Sequence, residues 1–202
     1  MARGKKSATA TKKATDPSRP ESWLFLHWED EMTFGVLREK YLDRTNTAEE
    51  FGLRKLQPVS PPSSDLLQIT AERADVVLPR WAEDDLSTPI AFLKGCDEMK
   101  LEKGILAYLT IPSPHERIHE AWEMARGFAK VLADERRVGS LVIQHVPGRV
   151  SSPNDPHVHL LINPRTSAKL GLRCGGIDRQ LLHDDGAEIL SDRWSQFVSD
   201  YA

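Results

Sequence analysis

The chain has few cysteines, no long apolar run and no glycine-rich phosphate loop, and each absence excludes a class of protein. Only Cys96 and Cys174 occur in 202 residues, which excludes a disulfide framework or a zinc-thiolate site and suits a reducing cytosol. No apolar stretch is long enough to cross a bilayer, and residues 1–20 contain no apolar signal region. We therefore expect a cytoplasmic protein with no membrane partner. Nucleotide hydrolysis is not indicated either, because no glycine-rich loop follows a strand pattern.

Net positive charge is confined to the first twenty residues. Residues 1–20 carry six basic side chains and one acidic one, a net charge of +5, whereas the whole chain carries −3. Residues 21–202 therefore carry about −8. The basic segment is rich in Lys, Ala, Thr and Ser and has no periodicity, which predicts a disordered tail over 1–20. A solubilising role is favoured for this tail, and contact with nucleic acid phosphates is the alternative.

The apolar patterns after residue 20 predict one α+β domain over residues 21–202. Its core would be a mainly antiparallel sheet covered by helices. Apolar runs predict strands at 23–28, 75–79 and 105–111, and helical spacing predicts helices at 29–46, 89–100, 113–137 and 187–201. Residues 46–64 end in a proline- and serine-rich stretch that predicts a loop. The motif Ser113-Pro114-His115-Glu116 predicts a capping box that begins the longest helix.

Three of the seven histidines lie on two further apolar runs, LVIQHV and HVHLLI. His157 and His159 are two residues apart, so they point to the same face of a strand. The turn residues between the two runs bring the strands together, which would place His145 beside the pair. Three neutral imidazoles on rigid strands can bind a metal ion and leave a position for water or substrate. The spacing therefore predicts a metal site formed by His145, His157 and His159.

Residues 70–202 also resemble the MobA/MobL relaxases of plasmid mobilisation, a branch of the HUH endonucleases. The resemblance is carried by ILAYLTIP, the helix HERIHEAWEMARGFAKVLADERR, then LVIQHV and NDPHVHLLINPR, and it extends to DRWSQFVSDYA. It implies the fold of these relaxases. It also implies that His145, His157 and His159 are the three metal ligands.

The resemblance further implies metal-dependent nicking of single-stranded DNA at a plasmid transfer origin, with auxiliary mobilisation proteins as possible partners. A tyrosine hydroxyl would attack the scissile phosphate and leave a 5′ phosphotyrosine and a free 3′ hydroxyl. The metal would stabilise the charge that develops on the phosphoryl oxygens. The family expectation is Mg or Mn, whereas three imidazoles also suit Zn, Fe or Ni.

Only three tyrosines can supply that hydroxyl: Tyr41, Tyr108 and Tyr201. The relaxase nucleophile lies early in the chain, on a helix after the first strand, and Tyr41 is the tyrosine that fits this place. Glu39 and Lys40 precede it, where the family has a run of small residues. A core position beside Phe34 and Leu37 is the alternative for Tyr41, and packing roles are expected for Tyr108 and Tyr201.

Basic residues in or after the histidine region could follow a DNA backbone. These candidates are Arg149, Arg165, Lys169 and Arg173. Four carboxylates could orient a ligand imidazole, although solvated surface positions are favoured for them: Glu29, Asp30, Asp75 and Asp155.

Three functions remain open from the sequence. The first is a relaxase with a phosphotyrosine intermediate. The second is a non-catalytic relative that binds DNA or a partner protein. The third is a metal-dependent phosphodiesterase in which activated water replaces tyrosine.

Overall fold

Long apolar strands occupy the middle of the molecule, and their register determines where the histidines meet. The computed structural model describes residues 14–29, 32–59, 68–100, 104–146 and 155–201. The strands are β1 (Leu26–Glu29), β2 (Met32–Arg38), β3 (Lys40–Tyr41), β4 (Arg44–Thr45), β5 (Arg73–Val77), β6 (Gly104–Pro112), β7 (Val138–His145) and β8 (His157–Thr166). The α-helices of the described residues are α1 (Ala48–Leu56), α2 (Pro89–Glu98), α3 (Ile118–Glu135) and α4 (Gly186–Tyr201).

Six of these strands form one antiparallel sheet in the order β1-β2-β6-β8-β7-β5. β3 and β4 form a separate small hairpin. The sheet and its covering helices confirm the predicted α+β class with an antiparallel centre. Residues 1–13 of the predicted tail over 1–20 lie outside the described residues. The domain boundary at residue 20 stays a prediction. No described helix has both the length and the apolar character needed to span a membrane.

Helices cover both faces of the sheet, and alternate strand residues supply the two halves of the core. On one face, Val142 and Leu160 pack in a cluster with Phe128 of α3 and Leu190 of α4. On the other face, Leu141 and Leu161 pack in a cluster with residues of α1 and α2, among them Phe51, Leu56, Phe92 and Leu93. Because both faces are buried, the central strands are almost continuously apolar.

The strand predicted at 23–28 begins later, as β1 at Leu26, because Pro20–Trp23 forms a 3₁₀ turn. Double burial explains the larger disagreement with sequence periodicity. Residues 32–38 form strand β2, where a helix was expected over 29–46. Phe34 and Leu37 belong to opposite core clusters, so their spacing reflects two buried faces of a strand and not one face of a helix. Tyr41 accordingly lies in the hairpin strand β3, not on a helix.

The sequence analysis also missed helix α1. Its cap is Thr47, whose hydroxyl accepts a hydrogen bond from the Glu50 amide at 3.1 Å, a Thr-x-x-Glu signature that was present in the sequence. The Asp97 carboxylate adds hydrogen bonds from the amides of Ala48 and Glu49 at 2.7 and 3.0 Å. This second contribution comes from α2 and is invisible to local sequence patterns.

The predicted capping box at Ser113 is wrong. Helix α3 begins at Ile118 after a 3₁₀ turn, and the side chain of its cap residue Arg117 makes no capping hydrogen bond to the helix backbone. Ser113 is buried, and its amide donates to the carbonyl of Pro156 at 2.8 Å. The serine therefore ties the end of β6 to the start of β8. The remaining predicted helices, at 89–100, 113–137 and 187–201, correspond to α2, α3 and α4.

Candidate metal centre

The register of β7 and β8 brings the three predicted histidines together. His145 lies directly opposite His157, and His159 follows on the same face of β8. The three imidazole centroids are separated by 5.1, 4.7 and 4.6 Å. One nitrogen from each ring lies within 4.8 Å of the others. These three residues, the histidine triad, could therefore hold a metal ion.

Two of the three imidazoles are oriented by backbone carbonyls. His145 Nε2 lies 2.7 Å from the carbonyl of Lys55, and His157 Nδ1 lies 2.7 Å from the carbonyl of Asp155. Because a carbonyl oxygen only accepts, each of these nitrogens carries the proton. Nδ1 of His145 and Nε2 of His157 consequently keep their lone pairs. Second hydrogen bonds of this kind are typical of metal-binding histidines.

His159 has the same arrangement with side-chain partners. Its Nδ1 lies 3.0 Å from the Tyr108 hydroxyl and 2.9 Å from the Thr110 hydroxyl. Its Nε2 is buried and has no hydrogen-bond partner among the described residues. A buried nitrogen without a partner is costly. A metal ion at the triad would satisfy it, so the donor set fits such an ion.

Burial keeps all three imidazoles neutral. It lowers the pKa of His145 to about 4. It also lowers the pKa of His157, and it lowers that of His159 well below the usual value, with the Lys55 charge adding to the effect on both. Since only the neutral imidazole binds a metal, the triad is ready to do so at neutral pH.

Lys55 connects α1 to the triad through both its backbone and its side chain. Its side chain is 3% exposed, and its ammonium pairs with the Glu21 carboxylate and lies 5.0 Å from the centroid of the Tyr108 ring. Burial alone would lower the pKa of Lys55, but Tyr108 and Glu21 outweigh burial and raise it. The residue is therefore charged, while its carbonyl accepts from His145.

Sequence reasoning missed both Lys55 and Glu21. The signal for Lys55 was its place on α1, four residues after Phe51 on the face that packs against the sheet. A lysine on an apolar helix face needs a buried partner. No local pattern marks Glu21 as that partner, because the two residues are 34 positions apart.

A cavity of about 310 Å³ opens beside His157 and His159. Tyr108 and Glu21 both line it, and its other lining residues include Trp28, Thr33, Thr110 and Asp155. Burial raises the pKa of Tyr108, so this tyrosine keeps its proton. The cavity thus combines a metal-binding set, a carboxylate and a neutral hydroxyl.

Tyr41 is not brought to this cavity. Near one end of β2, Thr33 pairs with Thr110, which in turn pairs with His159. At the other end, Arg38 pairs with Gly104. Five residues of strand correspond to about 17 Å, and Tyr41 lies beyond that far end. It lines a different pocket there, with Asp16, Arg19 and Leu42 among its neighbours. Its role as a nucleophile stays a prediction, and Tyr108 is the tyrosine whose hydroxyl lies at the triad.

Three of the four predicted DNA contacts lie away from the triad. Arg165 is 8% exposed, and it donates to the carbonyls of Met99 at 2.8 Å and Gly175 at 2.7 Å. Arg173 forms a two-point ion pair with Asp85 at 3.0 Å. Lys169 is exposed and lies after Thr166, the end of β8 that is farther from His157. Arg149 lies outside the described residues.

Of the three expected carboxylates that the structure describes, one contributes to the triad, through its backbone. Asp155 orients His157 with its carbonyl, while its side chain lies 3.2 Å from His115 Nε2. Asp75 pairs with Arg126 at 2.7 Å. Glu29 is exposed at the end of β1, and Asp30 lies outside the described residues.

Comparison with known proteins adds little. No family model matches the chain, and no curated protein matches it. A solved structure described as "Molecular Basis of Vancomycin Resistance Transfer in Staphylococcus aureus" is similar over 63% of this chain and 67% of that chain. The identity is 19% and the TM-score is 0.49. A likeness at this level carries no argument about activity, so the function has to be argued from the site.

Proposed function

We propose that the protein cleaves phosphodiester bonds of single-stranded DNA at the histidine triad with a divalent metal ion, as the resemblance to MobA/MobL relaxases implies. The observation that supports this proposal most is the state of the three imidazoles. Each is neutral, each is oriented by a hydrogen bond on one nitrogen, and one nitrogen of each ring lies within 4.8 Å of the other two.

A divalent ion bound there would polarise the scissile phosphate and stabilise the negative charge of the transition state. Other groups of the chain fix the orientation of the three imidazoles. Carbonyls of Lys55 and Asp155 hold two imidazoles, and the Tyr108 and Thr110 hydroxyls hold the third. Three nitrogen donors favour Zn, Fe or Ni, while Mg or Mn remains the expectation from the resemblance.

In the relaxase form of this proposal, Tyr41 is the nucleophile. Its hydroxyl loses its proton as the oxygen bonds to phosphorus, the bond from phosphorus to the 3′ oxygen breaks, and the released 3′ oxygen takes up a proton to become the 3′ hydroxyl. The phosphate then remains on the protein as a 5′ phosphotyrosine. This form requires Tyr41 to reach the triad from the opposite end of the sheet.

Hydrolysis is the second candidate, and Glu21 is the observation that favours it. The Glu21 carboxylate lines the same cavity as His157 and His159, where it is held by Lys55. It can accept a proton from a water molecule whose oxygen attacks phosphorus as the bond to the 3′ oxygen breaks. No tyrosine side chain would be modified in this reaction.

Incubation of the protein with single-stranded transfer-origin oligonucleotides tests the proposal and separates its two forms. Each reaction contains Mn²⁺, Mg²⁺ or Zn²⁺, and the products are separated under denaturing conditions. A covalent protein–DNA adduct that Tyr41→Phe abolishes supports the relaxase form. Cleavage without an adduct, lost in Glu21→Gln, supports hydrolysis.

Matched variants make the result specific to the triad. His159→Ala should abolish either reaction, whereas His119→Ala, on helix α3, should leave it unchanged. No cleavage by metal-loaded protein across the oligonucleotides would contradict both forms. It would favour a non-catalytic protein that binds DNA or an auxiliary mobilisation protein.

A further inference from the structure

Trp28 is packed differently from the other tryptophans. It lies on edge strand β1 and is 72% exposed. The other four each contact a ring or a guanidinium group: Trp23 with Phe51, Trp81 with Arg80, Trp122 with Arg126 and Trp194 with Phe128. Within the part of the chain that the structure describes, no such partner contacts Trp28. A large aromatic ring without such a partner is free to contact a ligand through its flat face.

The position of Trp28 connects it to the metal centre. Trp28 pairs with Thr33 in the register of β1 and β2, Thr33 pairs with Thr110, and Thr110 pairs with His159. Residues directly opposite each other in a sheet share a face. These four residues therefore form one row across the sheet, about 14 Å from end to end at three strand spacings. All four line the cavity beside the triad.

The row has a distinct chemistry at each end. His159, with the other two histidines, can hold a metal ion and hence a phosphate oxygen. Trp28 presents a flat apolar ring, and the two threonines between them are too small to block the floor. Two carboxylates line the cavity. Glu21 is paired with the Lys55 ammonium, and the Asp155 side chain is 91% exposed to solvent, which screens its charge. Repulsion of a phosphate by these two groups is therefore weakened.

We propose that Trp28 is a stacking platform for an unpaired base of the DNA strand whose phosphate lies at the triad. This inference rests on the proposed function, which supplies the phosphate at the metal end. A base has an apolar π face that fits an indole ring, and stacking of this kind is a common way to bind single strands. In a duplex the base faces are already stacked on one another, so the site would select a single strand.

Equilibrium binding of a fluorescein-labelled, mixed-sequence single-stranded oligonucleotide tests this inference, with Mn²⁺ present and cleavage monitored in parallel. Trp28→Ala should weaken binding about tenfold, while Trp28→Phe should keep most of the affinity. Trp81→Ala is the matched control, because Trp81 is also exposed but follows β5 at the end away from the histidines. It should bind DNA as tightly as the original protein.

An abasic scan sharpens the test. If one base stacks on Trp28, removal of that base should weaken binding by the original protein, and Trp28→Ala should then cause no further loss. Equal affinities of Trp28→Ala and the original protein would overturn the inference, as would the absence of any DNA binding. The inference would also be contradicted if Trp28→Ala weakened the binding of duplex DNA as much as that of single-stranded DNA.

The outcomes separate the inference from the proposed function. Binding that depends on Trp28, without cleavage by any metal-loaded form, would contradict the proposed cleavage and leave the stacking platform standing. Cleavage and binding that are both unaffected in Trp28→Ala would support the proposed function and reject the platform.

Discussion

The two ends of the central sheet use their polar residues in opposite ways. At the end where β7 finishes and β8 begins, polar groups converge on a cavity, and His159 Nε2 is buried there without a hydrogen-bond partner among the described residues. At the other end, Arg165 and Arg173 are paired within the protein, and their hydrogen bonds hold loops in place. The histidine end therefore offers ligand atoms to a bound ion, whereas the arginines of the other end are used in structural contacts.

Substitution at the histidine end should produce the largest effect on metal binding. His159→Ala removes the donor whose Nε2 is buried without a partner, so we expect the affinity for Zn²⁺ to fall by about 100-fold or more. Isothermal titration calorimetry measures this change. His183→Ala is a control, because His183 follows a 3₁₀ turn outside the triad. An equal loss in both variants would erase the distinction between the two ends.

Substitution at the other end should affect stability and leave metal binding intact. Arg165→Met removes the hydrogen bonds to two carbonyls, those of Met99 and Gly175. We expect the free energy of unfolding to fall by about 3 kcal/mol. Urea denaturation measures that loss, and calorimetry on the folded variant should give the original Zn²⁺ affinity. Loss of affinity without loss of stability would show that Arg165 serves the site.

Acidification should destabilise the histidine end of the metal-free protein. The unfolded chain protonates its imidazoles near pH 6.5, whereas the folded pKa of His145 is about 4. The unfolded state therefore binds more protons between these values. The contribution of His145 to the free energy of unfolding is fully present above pH 6.5 and is lost as the pH drops toward 4. The loss is up to about 3 kcal/mol from His145 alone.

Urea denaturation at pH 7, 5.5 and 4.5 measures this dependence. In His145→Ala the decrease between pH 7 and pH 4.5 should be smaller, since one buried imidazole is gone. Stability that stays constant or rises as the pH falls would contradict the neutral triad.

Removal of a tyrosine hydroxyl, at Tyr108 or at Tyr41, should have the smallest effect on Zn²⁺ affinity, and it compares the two ends. Tyr108→Phe removes a hydroxyl that lies 3.0 Å from His159, while Thr110 remains at 2.9 Å. We expect a decrease in Zn²⁺ affinity of about tenfold or less. Tyr41→Phe should leave the affinity unchanged, because Tyr41 lies in the hairpin at the far end. A larger effect at Tyr41 would show that the two ends communicate.

The sequence predicted the triad because strand alternation is a local rule. His157 and His159 had to share a face, and the turn-rich segment made it possible for His145 to lie opposite. The resemblance to relaxases led to the same three residues. The antiparallel sheet and helices α2, α3 and α4 followed from runs and periodicities that are likewise local.

The rest of the site depends on long-range contacts. Glu21 and Lys55 meet because the segment before β1 packs against α1, and nothing in either stretch encodes that contact alone. The misplaced helix over 29–46 concealed the direction of β2, and hence the distance between Tyr41 and the triad. Trp28 attracted no attention within an apolar run, because its exposure follows from the edge position of β1.

A metal-soaked crystal, with anomalous scattering recorded at the zinc edge, tests the central claim most directly. We predict one ion bound by Nδ1 of His145 and by Nε2 of His157 and His159, at about 2.0–2.1 Å from each nitrogen. The opposite nitrogens should keep their hydrogen bonds to Lys55, Asp155 and Tyr108 or Thr110. An ion held by other atoms, or a triad that remains empty at saturating zinc, would contradict the account.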